Sequence, residues 1–440
     1  MLTLKETVER ILSELTLTPP QILVLAESFR AAMEAGMRGK ESSLKMLPSF
    51  LGKPAGNETG TYAAIDFGGS KVRVLRVKLQ GRRQVEIVRQ KVFELQDVMK
   101  RINGRAADMT GSALFEGIAA ALQEVLIPDA PVSLGHAFSF PFRQLGVNQA
   151  VLIRWTKEIK ASAVEGEDVT RLLTKALAAK QMNYVTPAAV VNDTVGTYLA
   201  SAYDEPATLI GSICGTGHNS CYLGAYDGKE MIINLESGNF DRVAPTVYDQ
   251  VLDADSDRPG EQRLEKMVGG RYLGELFRLI IVDLIEKNLL FRDRREKFYL
   301  SPYQLKTEDL SVLLNPEEQE SPGTSKFAEK YGLQDVRIEE YGVLRQIASA
   351  ILTRAARLVG ISYLGILAQV AQSAGKRYVV AMDGSLYEKN PQFASQLQYI
   401  IKTYSRHSVG VKMVKNGSGI GAAIAAAVAD GEKRIKIAKF

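Results

Sequence analysis

The chain has 440 residues, 46% of them apolar and 24% charged, which is ample for two cores and gives a prior of two or three domains. Its formal charge of +5 comes from 55 basic and 50 acidic side chains with the signs interspersed and no long basic block, so a nucleic-acid arm is not expected. Only Cys214 and Cys221 are present, at a spacing that fits neither a zinc ribbon nor a redox CxxC pair, and His136, His218 and His407 are scattered, so spacing assembles no metal site.

Leu4 to Leu15 reads as an amphipathic helix with Lys5, Glu6, Glu9 and Arg10 among its apolar residues, unlike a signal peptide. Pro20 to Gly36 reads as a second helix, opened by proline and closed by glycine, before a Gly/Pro-rich loop over Gly52 to Gly60. No apolar run is read as long enough to span a bilayer, so the expectation is a cytosolic protein with no membrane partner. Strands are expected at Tyr62–Ile65, Val72–Leu79, Val85–Glu94, Val132–Phe138 and Ala188–Val191, alternating with helical sequence.

Ala63 to Val77 runs from an apolar strand through Asp66 into Gly68-Gly69-Ser70 and then a second alternating strand. Adjacent glycines let the backbone turn N–H groups onto a phosphate, Ser70 adds a hydroxyl, and Asp66 suits a hydrated Mg²⁺; the plain alternative is an ordinary Gly-Gly hairpin. At the end of the Ala188–Val191 strand, Asn192-Asp193-Thr194 precedes a helix, a place where open α/β sheets bind ligands and where Asp or Thr also serves as a routine N-cap. A second glycine hairpin, Thr208 to Gly224 with Gly215-Thr216-Gly217 at its turn, echoes the first at half-chain spacing. Two such units predict duplicated α/β domains with ATP in the cleft between them.

Beyond it, Gln262–Lys287 and Val343–Ser373 read as helical, Arg377–Met382 as a buried strand entering Asp383-Gly384-Ser385, and Asn416–Gly421 as a glycine-rich turn before an Ala-rich helix, Ala422–Ala429. Both turns suit a nucleoside. Ser139 in a Ser-Phe-Pro turn, Thr156 and Lys157 after Trp155, Asn234 and Glu236 in INLESG, and Glu265 in PGEQRLEK offer the mixed donors and acceptors that a polyol requires.

These segments, in this order and over nearly the whole chain, resemble the eukaryotic-type hexokinases and glucokinases of the actin-like ATPase superfamily. MEAGMRGKESSLKMLPSF, FSFP, WTK, VNDTVGT, GTGHN, INLESG, PGEQRLEKMVGGRYLGEL, TRAARL, DGSLY and NGSGIGAA all carry the resemblance. It implies an α/β, two-lobed (ribonuclease H-like) fold with a small lobe over 61–191, completed by 430–440, and a large lobe over 1–60 and 192–429, around a central cleft. The implied activity is transfer of the ATP γ-phosphoryl group to the 6-hydroxyl of glucose and other hexoses such as mannose or fructose, with Mg²⁺ held through the phosphates and water. Asp193 then resembles the catalytic base and Lys157 a catalytic cation, while Ser139, Thr156, Asn192, Asn219, Glu236 and Glu265 fall on sugar-contacting positions.

On the nucleotide side the resemblance implies Asp66, Gly68, Gly69, Ser70, Lys71, Arg73, Gly215 and Thr216 for phosphate. Gly270, Thr307, Ser311, Gly384, Ser385, Leu386 and Ser418 are implied for ribose and adenine. Three departures stand out: Ser70-Lys71 in place of Thr-Asn, Glu158-Ile159 in place of Gly-Phe, and Ser237 in place of a tryptophan beside Glu236. The last is read as removing aromatic bulk near the sugar pocket and puts sugar preference in question. A sugar sensor of the same fold, a kinase for a modified hexose and an actin-like filament protein are the alternative readings.

Overall fold

The computed structural model describes residues 3–68, 71–100, 109–156, 161–292, 300–315, 326–333, 336–370 and 376–437. The chain opens with α1 (Leu4–Leu15), started by a reciprocal Thr3–Glu6 capping box, and α2 (Pro19–Met37), whose first-turn prolines need no amide partner. The two-residue strand β1 (Leu47–Pro48) leads to β2 (Thr59–Phe67), β3 (Lys71–Gln80), β4 (Val85–Glu94), α3 (Leu95–Lys100) and α4 (Gly111–Val125). Then come β5 (Val132–Phe138), a small hairpin of β6 (Phe142–Gly146) and β7 (Gln149–Leu152), α5 (Val169–Ala179), β8 (Val185–Val191) and α6 (Asp193–Asp204).

The second half runs β9 (Thr208–Cys214), β10 (His218–Tyr226), β11 (Lys229–Asn234), α7 (Val247–Ala254), α8 (Arg263–Val268), α9 (Gly270–Glu286), α10 (Thr307–Leu313), α11 (Lys326–Tyr331) and α12 (Ile338–Val370). It closes with β12 (Arg377–Asp383), α13 (Ser385–Lys389), α14 (Pro391–Tyr404), β13 (Ser408–Met413) and α15 (Gly417–Ile437).

Two sheets carry the same plan. The first has the order β4-β3-β2-β5-β8, and the second has β11-β10-β9-β12-β13, with β1 added beside β11. In each, three strands form an antiparallel meander and two further strands follow parallel to its first member. The β2/β3 hairpin of the first sheet therefore corresponds to β9/β10 of the second, the echo read in the sequence.

α6 and α15 cross between the sheets, and the Ala-rich face of α15 joins Ala64, Leu75, Ala137 and Ala188 of the first sheet in one buried cluster. The crossing is nearly backbone on backbone: a Cβ on Gly421 would stand 1.8 Å from the Gly196 carbonyl oxygen. Glycines 417, 419 and 421 thus lie inside the first turns of α15, where they permit close packing, instead of forming a turn before a helix that starts at Ala422.

Two further expectations are corrected. α12 is long and apolar enough to cross a membrane by length and composition, with mean hydropathy 1.4 over 18 residues, and 83% of that stretch is buried as the core helix of the second half. β13, β6 and β7 are additional strands, too short or too interrupted by polar residues to show clear alternation. Both cysteines are free buried thiols, and burial pushes Cys214 up to about 12.

Candidate active site

A cavity of about 960 Å³ opens where the carboxyl end of β8 meets the turn of β9/β10. Asn192 is the N-cap of α6: its Oδ1 accepts from the Thr194 amide at 3.0 Å and the Thr194 hydroxyl at 2.7 Å. Because Asn192 does the capping, the next residue, Asp193, lines the cavity from the first turn of a 12-residue helix, at the end whose dipole favours a carboxylate. The capping and functional readings of this segment thus hold together, on neighbouring residues.

Ser139 and Thr156 line the cavity from the first half of the chain. Both are positioned by aromatic packing: Ser139 lies between Phe138 and Phe140, Thr156 follows Trp155, and Phe140 meets Phe67 and Trp155 at ring-centroid distances of 5.3 and 4.9 Å. The Trp155 indole N–H is satisfied by the Ala161 carbonyl at 2.8 Å, so the ring is fixed from both ends. Two contacts tie this loop to the second half: Arg154 pairs with Glu261, and Arg258 Nη2 donates to the Trp155 carbonyl at 3.1 Å.

Asn219, Glu236 and Glu265 line the cavity from the second half. Asn219 Nδ2 donates to Asn234 Oδ1 at 2.9 Å and Glu236 Oε1 at 3.2 Å, and Asn234 Nδ2 donates to Glu236 Oε1 at 2.8 Å. Glu236 itself has φ 54°, a left-handed backbone held by this network at the exit of β11. Burial, joined by the charges of Asp193 and Glu265, pushes its carboxyl up to about 7 against the hydrogen bonds from the two asparagines. Glu265 Oε2 accepts from the His218 amide at 3.0 Å, which joins α8 to the hairpin turn.

Ser237 does not open the pocket. It is fully buried, lines neither this cavity nor the next, and its hydroxyl faces His218 Nε2 at 3.4 Å. Burial pushes that imidazole down to about 4, so it is neutral, and with Nδ1 donating to the Ile213 carbonyl at 3.0 Å its Nε2 is the acceptor for Ser237.

A second cavity, about 790 Å³, adjoins the first and is lined by Gly215, Thr216, Gly270, Thr307, Ser311, Ser385 and Leu386, all of them expected nucleotide residues. The Gly270 and Arg271 amides donate to the Gly215 and Thr216 carbonyls at 2.8 and 2.9 Å, and Thr307 Oγ1 donates to the Gly270 carbonyl at 2.6 Å. Gly384, at φ 124°, lies so close to β9 that a Cβ there would stand 2.3 Å from the Cys214 carbonyl oxygen; only glycine fits.

The first hairpin stands apart from both cavities. Gly68, Asp66, Lys71 and Arg73 line neither; Arg73 pairs with Asp66 at 3.5 Å, and the Lys71 ammonium pairs with Glu94 at 3.0 Å. Asp66 is nevertheless in electrostatic reach of Asp383. Burial pushes Asp383 up to about 6, the charges of Asp66 and Asp193 add to the rise, and the Gly417 amide at 3.2 Å opposes it. Ser418 also lines neither cavity, its backbone being packed on Gly196. Gly69, Ser70 and Lys157, with Glu158 and Ile159, lie outside the described residues.

Sequence reasoning missed Arg271 and Asp257, which line both cavities together with Thr216. They pair at 3.1 Å, and the Arg271 guanidinium lies over the rings of Tyr272 and Tyr303. The signal was the basic residue directly after Gly269-Gly270, visible in GGRYLGEL but read only for its glycine.

Two family profiles, both described as Hexokinase, match residues 7–203 and 209–428. Hexokinase-1 of Schizosaccharomyces pombe is 34% identical over 453 residues, covering 97% of this chain and 91% of that protein. Human hexokinase HKDC1 is 34% identical over 452 residues, covering 97% of this chain and 48% of its own length, so the chain spans about half the length of several relatives it matches. Among solved structures, the hexokinase from Schistosoma mansoni complexed with glucose superimposes with a TM-score of 0.79 at 32% identity, covering 96% of this chain and 98% of that one. A second hexokinase crystal structure gives 0.81 at 30% identity, covering 97% and 99%.

Proposed function

Because the chain belongs to the hexokinase family, with the family's two-lobed actin-like ATPase fold, we propose that it transfers the γ-phosphoryl group of ATP to the 6-hydroxyl of glucose or a similar hexose. The observation that carries the reading is the meeting of Asp193 with Asn219, Glu236 and Glu265 in one cavity that adjoins a second cavity at Thr216. The polar groups of the first suit a neutral polyol, and the glycine-lined walls of the second suit a nucleotide.

In this reading Asp193 accepts the proton of the 6-hydroxyl as its oxygen forms a bond to the γ-phosphorus and the bond from that phosphorus to the ADP oxygen breaks. Glu236 and Glu265 accept hydrogen bonds from sugar hydroxyls, and Asn219 both donates and accepts. A hydroxyl donated to Glu236 stabilises its ionised form, so sugar binding draws its pKa down from about 7 and releases protons near neutral pH. Thr216, with Lys157 next in sequence to Thr156, orients the transferred group. Mg²⁺ would neutralise phosphate charge and be held by the ATP phosphates and water, since no group of three or more acidic, histidine or cysteine side chains comes together among the described residues; Asp66 and Asp383, within electrostatic reach of each other, are the carboxylates that would hold its water. The lobes are assigned as 61–191 with the 430–440 tail for the small one and 1–60 with 192–429 for the large one. The cytoplasm is the proposed compartment, supported by two free thiols.

A modified-hexose kinase has no support in the geometry, since the space it required at Ser237 is filled by His218. The test is ADP release with Mg-ATP against glucose, mannose, fructose, N-acetylglucosamine and no sugar. Wild type should turn over hexose, and D193A should lose ~10²–10⁴-fold in kcat while still binding sugar. Near-wild-type turnover by a folded D193A would remove Asp193 from the base role, and sugar binding without turnover by wild type would favour a sensor.

A further inference from the structure

A third cavity, about 800 Å³, lies between the end of α1, one face of α12, the end of α10 and the start of α14, and it shares no lining residue with the other two. Arg345, Ser349, Thr353, Arg354 and Arg357 recur along α12 at the spacing of one helix face.

Arg354 is compensated. Its guanidinium binds both Asp249 oxygens at 2.7 Å, and Thr246 fills the same carboxylate with its amide at 2.8 Å and its hydroxyl at 2.7 Å. Arg345 and Arg357 have no carboxylate partner among the described residues; Arg357 reaches only the Leu17 carbonyl at 3.5 Å and Gln396 Oε1 at 3.3 Å. Among the described residues no acidic side chain lines the cavity, and the Nε of all three arginines is buried without an acceptor. Arg354 is itself 3% exposed, so its Nε has no bulk water to turn to.

The neutral groups point the same way. Gln392 Nε2 donates to Ser349 Oγ at 2.6 Å and to Thr353 Oγ1 at 3.1 Å, which leaves each hydroxyl its own O–H to give, with no acceptor among the described residues. The cavity is thus rich in donors, short of acceptors and positive, with Leu12, Leu15 and Leu314 forming apolar wall. Arg345 and Arg357 are 12 residues apart, ~18 Å between their Cα positions along the helix, and with long side chains that can lean toward each other a ligand engaging both needs more than one phosphate group.

We propose that this cavity binds an anion with more than one phosphate group, held by Arg345 and Arg357 and by the hydroxyls of Ser349 and Thr353. The assignment does not depend on the hexose reading, because none of these residues belongs to the active site.

The experiment is calorimetric titration of the full chain with tripolyphosphate, and separately with orthophosphate, at fixed ionic strength, in wild type, R345Q, R357Q and S349A. Each variant's fold is checked by its thermal unfolding. Tripolyphosphate should bind saturably and more tightly than orthophosphate, with affinity about tenfold lower in each arginine variant, a smaller loss in S349A, and no change in KM for Mg-ATP. Equal affinity in wild type and folded variants would place the anion in the nucleotide cavity and overturn the proposal. So would equal affinity for the two phosphates, or no saturation by ~10 mM.

Discussion

Glu236 shows at the scale of one residue how stability is exchanged for binding. Its carboxyl stands at about 7 in the native state against an ordinary 4.5, so the folded protein holds this proton more tightly than the unfolded chain does. The ionised form therefore costs stability: the cost is absent below about 4.5, grows as pH climbs through about 7, and is constant above. E236Q keeps the Oε1 acceptor for Asn219 and Asn234 and removes the charge. It should stabilise the protein by about 1–3 kcal/mol at pH 8, much less at pH 5, and weaken sugar binding at both, measured by thermal unfolding and sugar titration. A stabilisation equal at the two pH values would mean that the buried charge is not what costs. Residue type and local order announced Glu236 and Asp193, because each lies in a short segment with its own turn or cap, while Asn219 was named only through the resemblance. Ser237 was misjudged for a physical reason: sequence gives position on the chain but not the direction of a side chain, and His218 decides that direction.

Among the elements, α6 and α15 depend most on missing side chains. With 1.8 Å between a hypothetical Gly421 Cβ and the Gly196 carbonyl oxygen, Gly421→Ala must part the helices, and a loss of ~1–3 kcal/mol is expected, seen as a lower unfolding midpoint. Gly431, on the same helix with nothing within 4 Å of its added Cβ, is the control: Gly431→Ala should be neutral or stabilising by ~0.5–1 kcal/mol. A loss in Gly421→Ala no larger than that in Gly431→Ala would mean that the crossing is not what costs. The elements themselves were largely legible. β4 and β5 have the expected bounds, while β2, β3 and β8 run one to three residues past the expected strands at one or both ends, because apolar alternation weakens at strand ends before the ladder does. The glycines of α15 misled, since glycine before an alanine run has the same text whether it bends the chain or admits a neighbour.

The whole molecule is two copies of one sheet plan with the sugar groups divided between them. Ser139 and Thr156 come from the first half, Asn219, Glu236 and Glu265 from the second, and the first hairpin lines neither cavity although Asp66 lies within reach of Asp383. Sugar that engages both halves should draw them together and bring the first hairpin toward the nucleotide, which would keep water from the phosphoryl group. Small-angle scattering should show a smaller radius of gyration with saturating glucose than without; an unchanged radius would rule closure out. The duplication was legible in the two glycine hairpins, but the path of α15 was not, because nothing local marks a segment that packs against strands some 300 residues earlier in the chain. That path bears on synthesis. Ala64, Leu75, Ala137 and Ala188 wait for Ala422 to Ala429 to cover them, so a ribosome that has already released the strands of the first sheet holds them with an unfinished core until that distant segment is made, and a sheet made early is completed late.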